Sequence, residues 1–295
     1  MKKRFLFIAS IFLSTSVAGF SQDFNAEDDF GVDISLGAEK ELLPDLELSV
    51  EGDLRTQENS KRIERYVLGA ELSYKFLNTK KFDMKVSGGF EYMWNQKMEE
   101  TKLAKDPYPF YESDEEGNPV YDNQGLIVPN KDYVDYNVNQ RYWRNRHRTS
   151  LGLSAVYSPN KRWSFQLKET VQYSHYCRED SINQYEFRWD ENDDGDRYLP
   201  TPGIDRKSVD PKDRLVLRSK FTAEYNVKGI PLNPFVSIDY GCGLNYTANK
   251  WKYSVGADYT INKKHKFTLY YRFQTEDDDD EPNGHMLGMG YKIKF

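Results

Sequence analysis

The chain has 295 residues and a formal net charge of −6, from 41 basic and 47 acidic side chains. This acidic balance argues against a nucleic-acid partner, since phosphate binding requires clustered Lys and Arg. Mean hydropathy is low, at −0.82, and no helical transmembrane segment is predicted. The same value is compatible with a transmembrane β-barrel, whose strands turn only every second side chain toward lipid.

The N-terminus is typical of a secretory signal peptide. A basic head, Lys2 to Arg4, precedes an apolar run from Phe5 to Val17 and a short exit of small residues. The run is shorter than the roughly 20 apolar residues of a membrane-spanning helix. We therefore predict a signal peptide over residues 1–21 and one mature domain, of the size of a β-barrel, over residues 22–295.

The mature sequence repeats one pattern, in which two strands of alternating apolar and polar residues are joined by a short turn and followed by a longer connection. The predicted strands cover residues 32–39, 46–55, 65–76, 82–94, 144–157, 163–173, 214–225, 236–245, 251–259, 267–273 and 287–295. Two polar stretches, 97–139 and 177–210, are predicted as long loops. This alternation of short turns and long loops favours an antiparallel, up-and-down outer-membrane β-barrel.

The last strand ends on Phe295, and its apolar face includes Tyr291 and Ile293. These three residues resemble the assembly signal of bacterial outer-membrane barrels, so we expect the barrel-assembly machinery to be a partner. If the chain ends in the periplasm, the short turns are periplasmic and the long loops lie outside. Aromatic residues on the apolar face cluster beside both the turns and the loops, as two girdles at two membrane interfaces. We therefore expect an outer-membrane location and contacts with membrane lipid and lipopolysaccharide.

The number of strands is harder to predict. Eleven are recognised, and bacterial single-chain barrels have an even number, so we predict about twelve strands, with ten as the alternative. A first strand that starts at the outer face would require residues 22–29 to reach that face. A soluble, exported β-sandwich is the competing fold, but its interior face would not concentrate Tyr and Trp at both ends of nearly every strand.

The polar face of the strands carries many charges, with acids in the early strands and bases in the middle ones. The predicted lumen-lining residues are Glu47, Glu51, Asp53, Arg55, Arg65, Glu71, Arg144, Arg146, Arg148, Lys168, Arg214, Arg218, Lys220, Glu224 and Arg272. Two interpretations remain open. The charges form a paired polar core, because a desolvated charge requires a partner, or they line a narrow channel for a small polar solute, anionic or sugar-like.

Two further patterns suggest chemistry. Asp190, Asn192 and Asp194 have the alternate spacing of the first half of an EF-hand loop, although Thr201 stands where the bidentate Glu is expected. They are a weak calcium site, and a solvated acidic loop is the alternative. His147 and Thr149 share the apolar face, as a His-x-Ser pair does in barrel lipid hydrolases, but Thr is a poor substitute for Ser. We predict no enzymatic activity and no cofactor other than calcium; surface binding through the long loops is a further alternative.

The order of elements resembles an outer-membrane barrel family described as domain of unknown function 2490. The resemblance rests on the opening G-V-D-I-S-L-G-A-E-K, inward Glu51 and Arg55, Arg65 with Tyr66, the basic strand Arg144 to Arg148, Tyr270-Tyr271-Arg272, and His285 before the last strand. It implies an outer-membrane location and leaves the activity open.

Overall fold

The computed structural model describes residues 29–106, 110–246, 249–276 and 284–295. The predicted signal peptide lies outside these residues. The described strands are β1 (Asp29–Leu43), β2 (Leu46–Gln57), β3 (Arg62–Asn78), β4 (Phe82–Lys97), β5 (Glu100–Leu103), β6 (Tyr136–Asn139), β7 (Tyr142–Tyr157), β8 (Trp163–Tyr176), β9 (Glu179–Phe187), β10 (Asp190–Glu191), β11 (Arg197–Tyr198), β12 (Gly203–Val209), β13 (Lys212–Tyr225), β14 (Leu232–Gly243), β15 (Asn249–Ile261), β16 (His265–Glu276) and β17 (Gly284–Lys294).

Eleven of these strands close into a barrel, in the order β1, β17, β16, β15, β14, β13, β8, β7, β4, β3, β2. Neighbouring strands are antiparallel throughout, except at the seam where β1 pairs with β17. The barrel has a turn end, where the connections 43–46, 78–82, 157–163, 225–232 and 261–265 are short and the chain terminates, and an opposite loop end. The predicted all-β barrel is thus confirmed.

The predicted strand number of twelve, with ten as the alternative, is wrong. β1 starts at the loop end, where Asp29 lies beside Gly284, and both terminal strands then run toward the turn end in the same direction. Two terminal strands of the same direction can pair only in parallel, and a meander whose ends point the same way contains an odd number of strands. The even-number expectation assumes an antiparallel seam, which this chain does not form.

The two predicted long loops contain further sheet structure. β12, β9, β6 and β5 form a four-stranded outer sheet in that order. Each of these strands adjoins, along the chain, a barrel strand of the series β13, β8, β7, β4, so the outer sheet extends one side of the barrel wall beyond the loop end. Of the described residues, only Lys131–Tyr133 are helical, as one 3-10 turn. No described helix is long and apolar enough to cross a membrane.

The two faces of the barrel wall have opposite character. Apolar side chains point outward, and Leu36 is 62% exposed although it lies within a strand. Polar side chains point into the lumen and are buried, among them Asp33, Arg146 and Arg214. A soluble β-sandwich has an apolar interior, so this inverted arrangement excludes the competing fold.

Aromatic side chains form two belts on the exterior. The belt at the turn end includes Phe76, Phe82, Tyr157, Trp163, Phe267 and Phe295, and the belt at the loop end includes Tyr66, Trp94, Trp143, Tyr173 and Trp251, all of them exposed. Along β3, Tyr66 and Phe76 are ten residues apart, which is about 33 Å of strand. With a strand tilt of about 40°, the belts are about 25 Å apart along the axis, the height of the apolar band of transmembrane barrels.

Candidate functional site in the barrel lumen

The structure places all the predicted lumen-lining residues on the inward face, as the strand register shows. In the strand register, Arg55 is the partner of Arg65, and Glu71 is the partner of Gly89. Arg144, Arg146 and Arg148 occupy successive lumen-facing positions along β7. Further along the barrel wall, the inward positions include Lys168 on β8, Arg214, Arg218, Lys220 and Glu224 on β13, and Arg272 on β16. Because both partners of a register pair face the same side of a sheet, these charges share one enclosed space.

Asp33 is the centre of a first group of lumenal charges beside the seam, the Asp33 cluster. Its Oδ2 atom lies 3.3 Å from Arg55 Nη2, 3.4 Å from Arg272 Nη1 and 2.8 Å from the Tyr270 hydroxyl, which donates to it. Tyr270 reaches Asp33 across β17 because Gly288 has no side chain; an added Cβ there would lie 2.0 Å from the Tyr270 ring. The Asp33 cluster therefore joins β1, β2 and β16 around the parallel seam.

A bulge adds Glu64 to the Asp33 cluster. The register of β2 with β3 shifts after Arg55 and Arg65, so Glu64 is turned inward together with its neighbour. Its carboxylate lies 3.7 Å from Arg55 Nε and 3.5 Å from Arg65 Nη1. Strict alternation in the sequence places Glu64 on the exterior, and for that reason it was not predicted.

Toward the turn end, Lys and Glu side chains pair along the barrel wall, passing over glycines. Lys292 Nζ lies 3.1 Å from Glu39 and 3.2 Å from Glu51, passing Gly37. Lys168 Nζ lies 3.1 Å from Glu71 Oε2, on a strand three positions away around the wall. These pairs agree with the predicted paired polar core.

Toward the loop end, arginines gather around one tyrosine, and we call this group the arginine cluster. The guanidinium carbons of Arg144, Arg146 and Arg214 lie 5.4, 5.0 and 5.6 Å from the centre of the Tyr176 ring. All three arginines are buried, with Arg146 at 5% exposure and Arg214 at 4%. The three cations repel each other, since like charges repel. Their contacts with the π face of the Tyr176 ring are attractive and offset part of this repulsion.

The hydrogen-bond partners of two members of the arginine cluster are neutral. Arg144 donates to the carbonyl oxygens of Cys177, at 3.0 Å, and Asp210. Arg146 donates to the Tyr176 hydroxyl and, at 2.9 and 3.1 Å, to the Met93 sulfur. The positive charge of this part of the lumen is therefore not neutralised by these contacts.

A cavity of about 80 Å³ adjoins the arginine cluster. Among the residues that the structure describes, seven cationic side chains line it, against one carboxylate, that of Asp239. Arg218 pairs with Asp239, and Arg148 pairs with Glu91 at 3.1 Å just outside the lining. The lining is completed by the polar side chains of Gln172 and Ser174, by Tyr176, Tyr246 and Val216, and by Gly241 and Gly243, which contribute no side chain. Tyr176 occupies the next lumen-facing position of β8 after Ser174. Extending the predicted strand beyond Tyr173 would have identified Tyr176 as a lumenal residue.

The remaining predicted lumenal groups lie at other inward positions of the barrel wall. Lys220 faces Asp239 on the next strand, and Glu224 accepts a hydrogen bond of 2.7 Å from the Asn233 side chain. Glu47 binds Lys294 at the rim of the turn end, at 2.6 Å. Asp53 lies one inward position from Arg55. The lumen thus has a mixed, paired turn half and a predominantly cationic loop half.

The predicted calcium residues take part in a turn. Asn192 accepts hydrogen bonds from the backbone N–H groups of Asp194 and Asp196, and Gly195 has a φ of +84°. Asp190 accepts from the Tyr198 hydroxyl at 3.1 Å, which raises the pKa of Tyr198. The side chain of Asn192 thus stabilises a hairpin turn, and calcium binding by these residues stays a prediction. Within the described residues, no group of three or more His, Cys, Asp and Glu side chains could hold a metal ion.

The same turn recurs in the first long loop. Asp114 accepts hydrogen bonds from the backbone N–H groups of Glu116 and Asn118, and Asp122 accepts from those of Gln124 and Leu126. Each is followed three positions later by a glycine with positive φ. The Asn118 backbone N–H holds the pKa of the Asp114 carboxyl below its usual range. An Asx-x-x-Gly pattern in these loops therefore indicates a hairpin turn.

His147 lies on the exterior near the loop end, as predicted, but its surroundings are aromatic. Its ring lies 4.8 Å from that of Tyr92, edge to face, and 6.0 Å from that of Phe90. No hydrogen bond joins His147 to Thr149 among the described residues, so the pair lacks the contact by which a His activates a hydroxyl. The two cysteines, Cys177 and Cys242, are both free thiols.

A His and carboxylate pair that sequence reasoning missed lies beside this position. His175 Nδ1 lies 2.7 Å from Asp213 Oδ1, which also accepts a hydrogen bond of 2.8 Å from the Tyr173 hydroxyl. The three side chains are on the exterior face of β8 and β13. Tyr173 was expected in the aromatic belt, but the sequence gives no register between β8 and β13 that would bring Asp213 to it.

Comparisons with known proteins give structural likeness only. The chain is similar to the β domain of the Bordetella autotransporter BrkA, with 10% identity, a TM-score of 0.43, and coverage of 85% of this chain and 82% of that one. It is also similar to the Pseudomonas putida toluene transporter TodX, with 10% identity, a TM-score of 0.31, and coverage of 86% and 87%. No protein-family model matches the sequence, and no curated protein matches it significantly.

Both TM-scores are low, and the assignment of the fold rests on the strand pairing of this chain. A closed barrel with an apolar exterior, two aromatic belts and a polar lumen is the architecture of outer-membrane β-barrel proteins.

Proposed function

We propose that the protein is an outer-membrane barrel that lets small anions pass through a narrow, charge-lined lumen. The observation that carries the proposal is the cavity at the arginine cluster, where seven cationic side chains face one carboxylate. A pore lined by rings of Arg and Lys selects anions electrostatically. In the low-dielectric interior of a barrel, such a charge excess acts more strongly than it would on a surface.

The orientation follows from the two ends of the barrel. Short turns at one end and long connections at the other are typical of periplasmic turns and outer loops, so the arginine cluster would face the outside and the paired Lys and Glu residues the periplasm. The two aromatic belts would contact membrane lipid and, in the outer leaflet, lipopolysaccharide. Tyr291, Ile293 and the exposed Phe295 would be read by the barrel-assembly machinery.

The paired charges of the turn half support a second candidate, a closed barrel with a structural role. Lys168 pairs with Glu71, and Lys292 pairs with Glu39 and Glu51, in the turn half of the lumen. A solute passing there must displace these pairs or move between them. The two candidates differ in whether the refolded protein conducts.

Recording from the refolded protein in a planar bilayer separates the two candidates. With a KCl gradient we expect small unit conductances and a reversal potential that shows preference for chloride. Replacement Arg214→Glu should reduce the preference for anions, because it reverses one charge of the lining. The matched replacement Arg206→Glu, on the exposed strand β12 outside the barrel, should leave it unchanged. Absence of unit conductance at any voltage would remove the pore in favour of the closed barrel.

A further inference from the structure

The cavity at the arginine cluster has the properties of a binding site for one specific class of anion. We propose that it binds a single tetrahedral oxyanion of the phosphate class. The inference rests on the proposed function in one respect, since the anion must reach the lumen from the loop end.

The first support is the state of the buried guanidinium groups. Arg144 and Arg146 are buried, and their hydrogen bonds go to carbonyl oxygens, a tyrosine hydroxyl and a thioether sulfur. Burying a cation without an opposite charge is costly. Arg214 lies against the rings of both Tyr176 and Tyr246, at 5.6 and 4.4 Å, which adds a third cation to the same space. A bound anion would supply an opposite charge to Arg146, which lines the cavity, and to its neighbour Arg144.

The second support is the chemistry of the donors. A guanidinium is a planar fork that binds two oxygens of a phosphate at once, with charge-assisted hydrogen bonds about twice as strong as neutral ones. Arg146 and Arg148 on β7 and Arg214 on β13 approach the cavity from the two strands that flank β8, and Arg65 approaches it from β3. Donors that converge from several directions suit an anion with oxygens in a tetrahedral arrangement better than a planar carboxylate. An anion of two charges also gains more from the excess of cations than chloride does.

The third support is size. About 80 Å³ is several times the roughly 10–15 Å³ that one water molecule requires. Pockets for drug-sized ligands have volumes of about 300 Å³ or more. A space of this size suits a phosphate or sulfate ion, and a larger phosphorylated solute would insert its phosphate group first. Of the two solutes left open by the sequence, the site therefore favours the anion over the sugar.

Calorimetric titration of the refolded, full-length mature protein tests the site without requiring conduction. Inorganic phosphate, sulfate, acetate and a hexose phosphate are each titrated in a chloride background. We expect phosphate and sulfate to bind and acetate to bind at least 10-fold more weakly. Comparable affinities for phosphate and hexose phosphate would support the site with a phosphate group of a larger solute as its ligand, and binding of inorganic phosphate alone would support it with the free ion.

Variants place the binding in the cavity. Arg146→Gln and Arg214→Gln should each weaken phosphate binding by about 10- to 100-fold, the effect of losing one or two hydrogen bonds to a charged group. Lys168→Gln, which removes a lumenal cation paired with Glu71 in the turn half, should change it less than 3-fold. Two arginine variants are used so that misfolding of one, seen by circular dichroism, leaves the other as the test.

Three results would overturn the site. They are the failure of the parent protein to bind phosphate above the chloride background, acetate binding as tight as phosphate binding, and an equal loss of affinity in Lys168→Gln and the arginine variants. Phosphate binding without conductance would reject the pore and leave the site standing. Conductance without phosphate binding would reject the phosphate site and leave the pore standing.

Discussion

Replacement of Asp33 by Asn is expected to destabilise the barrel by about 3–5 kcal/mol, the cost of removing one partner from a buried charge cluster. The variant keeps the size of the side chain and removes its charge. Arg55 and Arg272 would then each lose the negative charge of Asp33. Of these two arginines, only Arg55 has Glu64 nearby as a second carboxylate, at 3.7 Å. The loss would be concentrated at the seam, because the Asp33 cluster joins β1 and β2 to β16.

The effect is measured as the free energy of unfolding in urea, with the protein refolded into phospholipid vesicles and tryptophan fluorescence as the signal. Glu47→Gln is the matched control, since it makes the same change of charge in an ion pair at the rim, where Lys294 is 45% exposed. Exposed pairs contribute about 0–1 kcal/mol. Equal, small effects of both variants would show that the Asp33 cluster does not hold the seam.

Replacement of Leu72 by Arg is expected to destabilise the membrane-inserted protein by about 2–4 kcal/mol, the cost of a cation at the middle of the lipid-facing surface of a barrel. Leu72 is 45% exposed and lies on β3 between Tyr66 and Phe76, which belong to the two aromatic belts. In water an Arg at an exposed position is nearly neutral in its effect. A large loss therefore requires lipid at this surface.

Ile204→Arg provides the control for that variant. Ile204 is 66% exposed, but it lies on β12 of the outer sheet, beyond the barrel. We expect its effect on the free energy of unfolding to lie within about 0.5 kcal/mol, as is usual for surface substitutions. If both replacements have the same effect, the belts do not mark a membrane.

The sequence was sufficient for features that depend on local periodicity. The alternation of apolar and polar residues identified the eleven barrel strands, and it put every predicted lumenal charge on the inward face. It also placed both aromatic belts, because a belt residue is defined by its face and by its distance from a turn. These features need only the knowledge that side chains alternate along a strand.

Features that depend on register were not accessible. Asp33 and Tyr270 are 237 residues apart, and their hydrogen bond exists because Gly288 of the intervening strand leaves room for the ring. Nothing in the alternation specifies that β1 and β17 pair in parallel. The bulge that turns Glu64 inward is likewise a property of two strands together.

The long connections were misread for a different reason. Stretches rich in Tyr, Asp, Asn and Pro lack the alternation of a membrane-facing strand, and the short strands β5, β6, β9 and β12 are specified by pairing with their neighbours. The acidic segment near Asp190 was compared with a calcium loop because turn residues and calcium ligands are the same residue types. The structure shows the backbone hydrogen bonds of a turn in this segment, and calcium binding there stays a prediction.

The parallel seam distinguishes this barrel from every even-numbered alternative, and one cross-linking measurement tests it. Ile34 and Met289 are register partners on the exterior of β1 and β17, and neighbouring strands are about 4.8 Å apart, within the range of a disulfide. The protein with Ile34→Cys and Met289→Cys, in a background with Cys177→Ser and Cys242→Ser, should cross-link under mild oxidation when refolded in vesicles. Ile34→Cys with Ile293→Cys, about 13 Å out of register, should not. Absence of the first cross-link would contradict the seam, because a twelfth strand between β1 and β17 would separate the two cysteines by about 10 Å.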